Sequence, residues 1–363
     1  MAEKTALIGM SGGVDSSVAA YLMLQSGYRC IGATMRLYDN EMLGKDNGHT
    51  CCSLDDVEDA RSVARRLGIP HYVFNFKEDF EKQVIQKFVT SYESGLTPNP
   101  CIDCNRYLKF QRLLRRALEL GYDYVVSGHY AQLRQDRATG RYLLYKAADR
   151  TKDQTYFLAC LSQEQLAHIQ FPLGGLTKPE VREIAEAQGF LNARKHDSQD
   201  ICFVPDGDYV AFLERYTGKT YPAGDYLDLQ GNVVGQHRGA VCYTLGQRKG
   251  LHLAMGAPVY VCGKDMGKNT VTVGPSEALF SKALRANDWQ WFPFPALTEP
   301  LKVTVKTRHS QSEQGATVYP EEGGFARVEF DAPQRAVTPG QAVVLYQGDL
   351  VIGGGTITEA ADQ

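Results

Sequence analysis

Ser11-Gly12-Gly13-Val14-Asp15-Ser16-Ser17 is the stretch from which the rest of the chain is read. It follows a short apolar run, Ala6 to Met10, that reads as a buried strand. It precedes Val18 to Ser26, where apolar residues recur at helical spacing. A loop between a strand and a helix aims several backbone N–H groups and the positive end of the helix dipole at one point, which makes an anion site. Gly12 and Gly13 permit close approach and unusual backbone angles, and the serine hydroxyls add donors. The loop carries no Gly-Lys-Ser/Thr and no G-x-G-x-x-G, so it is neither a Walker loop nor a dinucleotide fingerprint.

Working outward, strand-like runs alternate with amphipathic helices from Thr5 to about Phe190. The predicted strands are Cys30–Arg36, His71–Phe76 and Tyr124–Ser127; the predicted helices are Leu54–Leu67, Phe80–Glu93 and Tyr107–Leu120, with Ser53 and Asp56 as a capping pair. Such alternation predicts an α/β unit with a parallel sheet covered on both faces. Ligands of these sheets sit beyond the carboxyl ends of the strands, where Met35 and Gly128 fall beside the glycine loop. After about Pro205, turn residues become dense between short β-rich runs such as Val259–Cys262 and Thr270–Val273. The stretch Trp289–Pro295 punctuates this region, and Leu301–Thr307, Ala326–Phe330 and Ala342–Tyr346 alternate like antiparallel strands. The expected division is an N-terminal parallel-sheet catalytic domain over 1–205, a small β-rich central domain over 206–280 and a C-terminal β-barrel over 281–363.

Composition excludes several classes. With 43% apolar and 22% charged residues in 363, the chain reads as a globular protein of two or three domains. No apolar run approaches membrane-spanning length, and no leader pattern precedes the first strand. Nine cysteines, an odd and scattered set, do not form a secreted disulfide framework, so a cytoplasmic location is expected. A net charge of −3 means that any nucleic-acid contact must come from local basic patches.

Two cysteine segments carry the next layer. In Thr97-Pro98-Asn99-Pro100-Cys101-Ile102-Asp103-Cys104-Asn105-Arg106, two prolines hold an extended loop that delivers a Cys-x-x-Cys into a helix start. There the dipole, Arg106 and Lys109 all favour a thiolate. The second segment, Asp197-Ser198-Gln199-Asp200-Ile201-Cys202-Phe203, is a polar turn ending in a cysteine. No second Cys-x-x-Cys completes a zinc site. Cys30, Cys160, Cys242 and Cys262 read as small buried apolar residues, and Cys51 and Cys52 carry no assigned chemistry.

The glycine loop resembles the PP-loop of ATP pyrophosphatases. It is followed in order by Thr-Pro-Asn-Pro-x-x-x-Cys-Asn (97–105), Ser-Gly-His-Tyr (127–130), Lys-Asp-Gln-Thr-Tyr-Phe-Leu (152–158), Asp-Ser-x-x-Ile-Cys-Phe (197–203) and Thr-Leu-Gly-Gln-Arg-Lys-Gly-Leu (244–251). Together they resemble the tRNA-specific 2-thiouridylases over nearly the whole chain, as far as Gly353-Gly354-Gly355. The resemblance implies that ATP adenylates the C2 oxygen of a wobble uridine in tRNA and that a persulfide sulfur then replaces it. It makes Cys202 the persulfide carrier and Cys104 its partner nucleophile, either closing a Cys104–Cys202 disulfide or releasing sulfide. ATP with Mg2+ is assigned to Gly9, Met10, Ser11, Gly12, Gly13, Val14, Asp15, Ser16, Met35 and Gly128. Contacts to tRNA are assigned to Asn99, Pro100, Cys101, His129, Lys152, Asp153, Gln154, Arg308, His309 and Gln341. A cysteine desulfurase or sulfur-relay protein is the implied persulfide donor, and no membrane partner is expected.

At Cys101 better-known members carry an aspartate proposed as an acid/base group, so that role does not transfer; Asp103 is an alternative. Cys101, Cys104 and Cys202 could instead hold an iron–sulfur cluster with one open iron. Two basic faces suit phosphate contacts. One is Asn105 to Arg116, whose opposing stripe is Tyr107, Phe110, Leu114 and Leu118. The other is Lys302, Lys306 and Arg308, facing out from a strand that turns Leu301, Val303 and Val305 inward. Two readings compete: another PP-loop ligase, of the amidotransferase or tRNA lysidine synthetase type, which needs no transferable sulfur, and a non-catalytic RNA-binding module.

Overall fold

The computed structural model describes residues 3–38, 54–195, 201–204 and 206–361. Its first sheet is built from β1 (Thr5–Gly9), β2 (Arg29–Arg36), β3 (His71–Asn75) and β4 (Tyr124–Val126). These pair in parallel in the order β3-β2-β1-β4, and the short strand Ile169–Gln170 is added beside β4. Period-two alternation explains its burial on both sides. Leu7, Ile31 and Val125 enter one core, whereas Ala6, Ile8, Cys30 and Val126 enter the other.

Helix α1 (Val14–Gln25) starts four residues before the predicted apolar stretch, because Asp15 and Ser16 of the glycine loop supply its first turn. Helix α2 (Leu54–Leu67) has the predicted bounds; its proposed cap Ser53 lies outside the described residues. The predicted Phe80 helix begins earlier, as Lys77–Phe80 running into a π-helical stretch Glu81–Ile85 and then Gln86–Glu93. The Tyr107 helix also begins earlier. Pro100, with its fixed φ, opens Pro100–Asp103 at the first helical position, and the chain continues through a π-helical Cys104–Arg112 into Leu113–Glu119. Its buried stripe is Phe110, Leu113, Leu114 and Ala117. Leu118 is 45% exposed, a correction to the predicted stripe: at roughly 100° per residue it falls well off that face in the last turn.

Beyond the sheet, β5 (Gln132–Gln135) and β6 (Tyr142–Tyr145) form a hairpin. A four-stranded sheet follows, built from Gly224–Leu227, Val233–His237, Tyr260–Asp265 and Thr270–Gly274. The C-terminal unit is a closed barrel of six strands: Phe280–Trp291, Leu301–Lys306, Gln314–Pro320, Ala326–Arg335, Ala342–Gln347 and Leu350–Ala361. The first of these pairs with the last and closes the ring. The Trp-rich stretch that was expected to interrupt this region lies partly within its opening strand instead. Trp289 and Trp291, two residues apart and therefore on one face, stack at 4.7 Å. The last strand meets them with Gly353 and Gly355, where a Cβ would lie 2.7 Å and 2.8 Å from the indole rings. Gly354 points the other way, against Ala159 of the N-terminal domain. Among the described residues no helix is long and apolar enough to cross a membrane.

The N-terminal domain and the barrel are one packed body. Leu350 of the last barrel strand pairs with Tyr145 of β6, and Arg141 donates to the carbonyls of Trp291 and Phe292, both at 2.7 Å. Gly354→Val is expected to destabilise the protein by about 1–3 kcal/mol through overpacking, since a Cβ there sits 2.6 Å from Ala159 Cβ. Urea unfolding checks this; an unchanged midpoint would show that the contact has slack.

Candidate active site

The glycine loop is shaped by what cannot fit beside it. Gly12 has φ +76°, and a Cβ on it would lie 2.4 Å from the Asp56 carbonyl oxygen. Gly128, just past β4, passes so close beneath the loop that a Cβ would meet Asp15 C at 2.6 Å. Inside the loop, the Ser16 and Ser17 hydroxyls each donate to the Gly13 carbonyl at 3.0 Å, and Ser11 N donates to Ser16 Oγ at 3.2 Å. Gly13 caps α1 without a side chain, so the first-turn amides face the loop's concavity with no capping oxygen. Met10 is fixed by a bond from its amide to Ala33 O at 2.8 Å and by Thr34 Oγ1 on its carbonyl at 2.7 Å. Met35 lies on the neighbouring β2, one residue from its end.

Three side chains that the sequence reading missed complete this site. Lys178 Nζ donates to both Asp15 carboxylate oxygens, at 2.7 and 2.8 Å, and Tyr130 Oη donates to Asp15 Oδ1 at 2.8 Å. Lys178 opens the helix Lys178–Ala187, whose Thr177–Glu180 capping box is legible in sequence although its reach to Asp15 is not. Asn192, 3% exposed, donates to Gly12 O at 2.8 Å and to Ser17 Oγ at 2.9 Å. Asn192→Ala leaves the buried Gly12 carbonyl without this donor, a loss of about 1–3 kcal/mol. The expected outcome is weaker binding of a nucleoside triphosphate, read by calorimetry, in a variant whose circular dichroism is unchanged; an unaltered affinity would argue against a loop-shaping role.

The two cysteine segments rest on consecutive residues of one helix. Lys87 Nζ donates to Asp103 Oδ1 at 2.5 Å, and the adjacent Phe88 ring packs edge-to-face on Phe203 at 5.2 Å. Tyr38 Oη donates to the Cys202 carbonyl at 3.1 Å. Cys104 and Cys202 are both half-buried against the same core, whereas Cys101 is exposed. Residues 197–200 lie outside the described residues. The helix starts at Pro100, so Cys101 feels its dipole more strongly than Cys104, one turn further in. Arg106 is engaged by Asp288 of the barrel in a two-pronged pair, one arm at 2.9 Å, so its charge is largely committed there. Asp103 is 6% exposed and turned to Lys87; burial pushes its carboxyl up while Lys87 opposes the shift. It does not face solvent as an acid/base substitute for the aspartate missing at 101.

Among the described residues no three His, Cys, Asp or Glu side chains converge on a metal position, so the alternative gathering of Cys101, Cys104 and Cys202 around a cluster finds no support. Burial raises the thiols of Cys30 to about 11 and Cys160 to about 12, and also raises those of Cys242 and Cys262, which fits inert roles. Cys30 and Cys242 are buried as read; Cys160 and Cys262 are half-buried.

The residues assigned to tRNA by resemblance occupy varied settings. His129 is buried between Phe110 and Phe171 and bonded to Ser127 Oγ at 2.8 Å; burial, with Lys109 adding to it, holds the imidazole neutral well below its usual value. Asp153 accepts from Ala147 N at 2.9 Å and Thr155 Oγ1 at 2.6 Å. Gln154 accepts from Tyr130 N at 2.9 Å, and Lys152 is half-buried. His309 is exposed and rests on the Phe157 ring at 4.5 Å. Arg308 does not face out as the strand pattern suggested. It folds onto Ala336 O at 2.6 Å and Thr338 Oγ1 at 3.1 Å, because its strand has ended at Lys306. Lys302 does face out, paired with Asp331 at 2.8 Å. Asn99 stands at the N-cap position of the short helix, beside buried Pro100, without a side-chain capping bond, and Gln341 donates to Thr97 O at 2.8 Å and Pro98 O at 3.2 Å.

Comparison with known proteins agrees with this arrangement. The family described as the tRNA methyl transferase HUP domain matches residues 4–206. The tRNA methyl transferase PRC-barrel domain matches 210–275, and the aminomethyltransferase beta-barrel domain matches 281–357. The chain is 51% identical to the tRNA-specific 2-thiouridylase MnmA of Acetivibrio thermocellus, covering 98% of this chain and 100% of that protein. It is 50% identical to that of Heliobacterium modesticaldum, covering 99% and 94%, and 47% identical to that of Clostridioides difficile, covering 98% and 99%. On this evidence the chain belongs to the family of tRNA-specific 2-thiouridylases.

Proposed function

We propose that this protein is a tRNA-uridine 2-sulfurtransferase that uses ATP to activate the C2 oxygen of a wobble uridine. The observation that carries the reading is the anchoring of the Cys104 helix and the Cys202 segment on adjacent residues, Lys87 and Phe88, in the same domain as a complete PP-loop. The C2 oxygen attacks the α-phosphorus of ATP, and pyrophosphate leaves toward the amide-rich mouth of α1. Lys178 and the first-turn amides offset the developing negative charge. Asp15, with the Ser11 and Ser16 hydroxyls, offers the hard oxygen donors that suit Mg2+, which when bound would neutralise the polyphosphate.

Sulfur then arrives on Cys202 as a persulfide from a cysteine desulfurase or a sulfur-relay protein. The terminal sulfur attacks C2, and AMP departs with the former C2 oxygen. The Cys104 thiolate next attacks Cys202 Sγ, forming a Cys104–Cys202 disulfide and releasing the 2-thiouridine sulfur with its electron pair. An external thiol reduces the disulfide. A phosphate-binding role for the Arg112–Arg116 face and for Lys306 fits an RNA substrate. The competing PP-loop ligases need no transferable sulfur, and so need neither cysteine.

The test is nucleoside analysis of tRNA after incubation with ATP, enzyme and a persulfide donor. Wild type is expected to form 2-thiouridine and AMP, and Asp15→Ala neither. Cys202→Ser should accept no persulfide mass and make no product. Cys104→Ser should accept the persulfide and stall before product. Cys101→Asp should stay active in this relay. An active Cys202→Ser enzyme, or persulfide found only on Cys104 or Cys101, would refute the mechanism.

A further inference from the structure

The turn over Thr244–Leu251 takes no part in the nucleotide and cysteine sites, yet it is rigidly built. The Gln247 side chain ties both flanks, accepting from Thr244 N at 3.0 Å and donating to Lys249 O at 3.0 Å. The turn is also bonded to Val261 in both directions, Gly246 N to Val261 O at 2.8 Å and Val261 N to Gln247 O at 3.0 Å. Gly246 and Gly250 take φ +82° and +76°, which glycine adopts without strain. Arg248 and Lys249 are left exposed at its tip.

Two arginines of the barrel stand against this turn. The point that a Gly246 Cβ would occupy is 3.0 Å from Ala336 Cβ and 3.8 Å from a terminal nitrogen of each of Arg308 and Arg335. The two guanidinium groups are therefore near neighbours of like charge, and burial together with Arg335 pushes the Arg308 guanidinium below its usual value. Arg308 is held only by neutral acceptors, Ala336 O and Thr338 Oγ1. Arg335 gives Nε to Ser276 Oγ at 3.3 Å and lies over the Tyr260 ring at 4.7 Å. Among the described residues no carboxylate pairs with Arg248, Lys249, Arg308 or Arg335. The three segments that meet here, 229–264, 302–312 and 332–348, contain no Asp or Glu. In a chain of net charge −3, so local an excess of cations marks a surface suited to a polyanion. Paired guanidinium forks match the oxygens of a phosphate. The place fits as well: Thr338, which Arg308 grips, accepts from Gln341 N at 3.2 Å and opens the barrel turn expected to contact tRNA.

We propose that Arg335 of the barrel and Arg248 with Lys249 of the central domain join Arg308 in a site for a phosphodiester of the tRNA backbone, which Gly246 keeps open by having no side chain. Such a contact sets the position of the RNA on the enzyme without reading its sequence. It rests on the sulfurtransferase reading only for the identity of the RNA, and it is measurable without turnover.

The experiment compares full-length wild type with Arg335→Gln, Arg335→Lys and the double variant Arg248→Gln/Lys249→Gln. Lys4→Gln serves as a control, since Lys4 is exposed just ahead of β1, at the end of the sheet away from the nucleotide loop. Affinity for tRNA is read without ATP over a series of salt concentrations. It is read again with tRNA sparsely ethylated at its phosphates, by mapping which ethylated positions are excluded from the bound fraction. Circular dichroism establishes folding. Arg335→Gln is expected to weaken binding roughly tenfold and to lower the salt slope by about one. The double variant should lower the slope by about one to two. Arg335→Lys keeps the charge but loses the fork, so it should keep the wild-type slope and recover only part of the affinity. Ethylation of one phosphate should exclude tRNA from wild type and cease to matter in Arg335→Gln, while Lys4→Gln should match wild type. Inorganic pyrophosphate tests the other source of the same chemistry: pyrophosphate affinity that falls in Arg335→Gln while tRNA affinity does not would overturn the RNA assignment. An equal loss in Lys4→Gln, or one ethylation pattern shared by wild type and Arg335→Gln, would also overturn it. Should Arg335→Gln fail to fold, the double variant on the exposed turn carries the same test. If these results hold while wild type makes no 2-thiouridine, the phosphate site stands and the sulfurtransferase reading fails.

Discussion

The carboxylate of Asp15 is gripped from two sides, by the Lys178 ammonium and the Tyr130 hydroxyl, and the geometry of the rest of the site follows from that grip. Lys178 is 7% exposed, so its charge is largely withdrawn from water and needs the carboxylate as its counterion. The pair therefore fixes the first turn of α1 against a helix from far along the chain, and with it the direction in which the loop amides point. An arriving polyphosphate meets a lysine already desolvated and oriented, which lowers the reorganisation needed for binding.

From Asp15 the restraint passes outward through polar contacts. Tyr130, which holds Asp15 with its hydroxyl, holds Gln154 with its backbone, donating N–H to Oε1 and accepting Gln154 N–H at its carbonyl, both at 2.9 Å. Two residues on, Tyr156 is buried and donates to Ala342 O of the barrel at 3.0 Å; that desolvation pushes its phenol well above the ordinary range. Ala342 adjoins Gln341, whose amide grips the cysteine loop. The nucleotide loop and the cysteine loop are thus tied through the same domain interface, and the barrel is a structural part of the active site as well as a candidate RNA surface.

What could be read in the sequence was local. The glycine loop is seven consecutive residues whose place between a strand and a helix shows in the sequence, although the neighbours that shape it do not, and α2 was bounded correctly because its amphipathic period runs uninterrupted. The antiparallel strands of the C-terminal unit were legible from alternation, which suits a barrel or a sandwich alike; closure rests on the pairing of its first strand with its last. Contacts between distant segments were not legible. Lys178 meets Asp15 across 163 positions and Asn192 meets Gly12 across 180, and no pattern in either segment encodes its partner. Arg308 was misplaced for a related reason: alternation holds only while a strand continues, and its strand stops at Lys306. Leu118 failed because a spacing of four residues drifts by about 40° each time, and by the last turn it has carried the residue off the buried face.

The pairing of Tyr145 with Leu350 joins segments 205 residues apart, and synthesis separates them in time as well as in sequence. At about 5–20 residues per second, roughly 10–40 s pass between the two emerging from the ribosome. Throughout that interval the β5–β6 hairpin presents a bare strand edge, the kind of surface that recruits foreign strands. Lys146, directly after β6, later donates its N–H to Asp349 O at 2.9 Å and its ammonium to Gly348 O at 2.8 Å. Until then its charge borders the open edge, so the residue that secures the finished seam also guards it while the chain is incomplete.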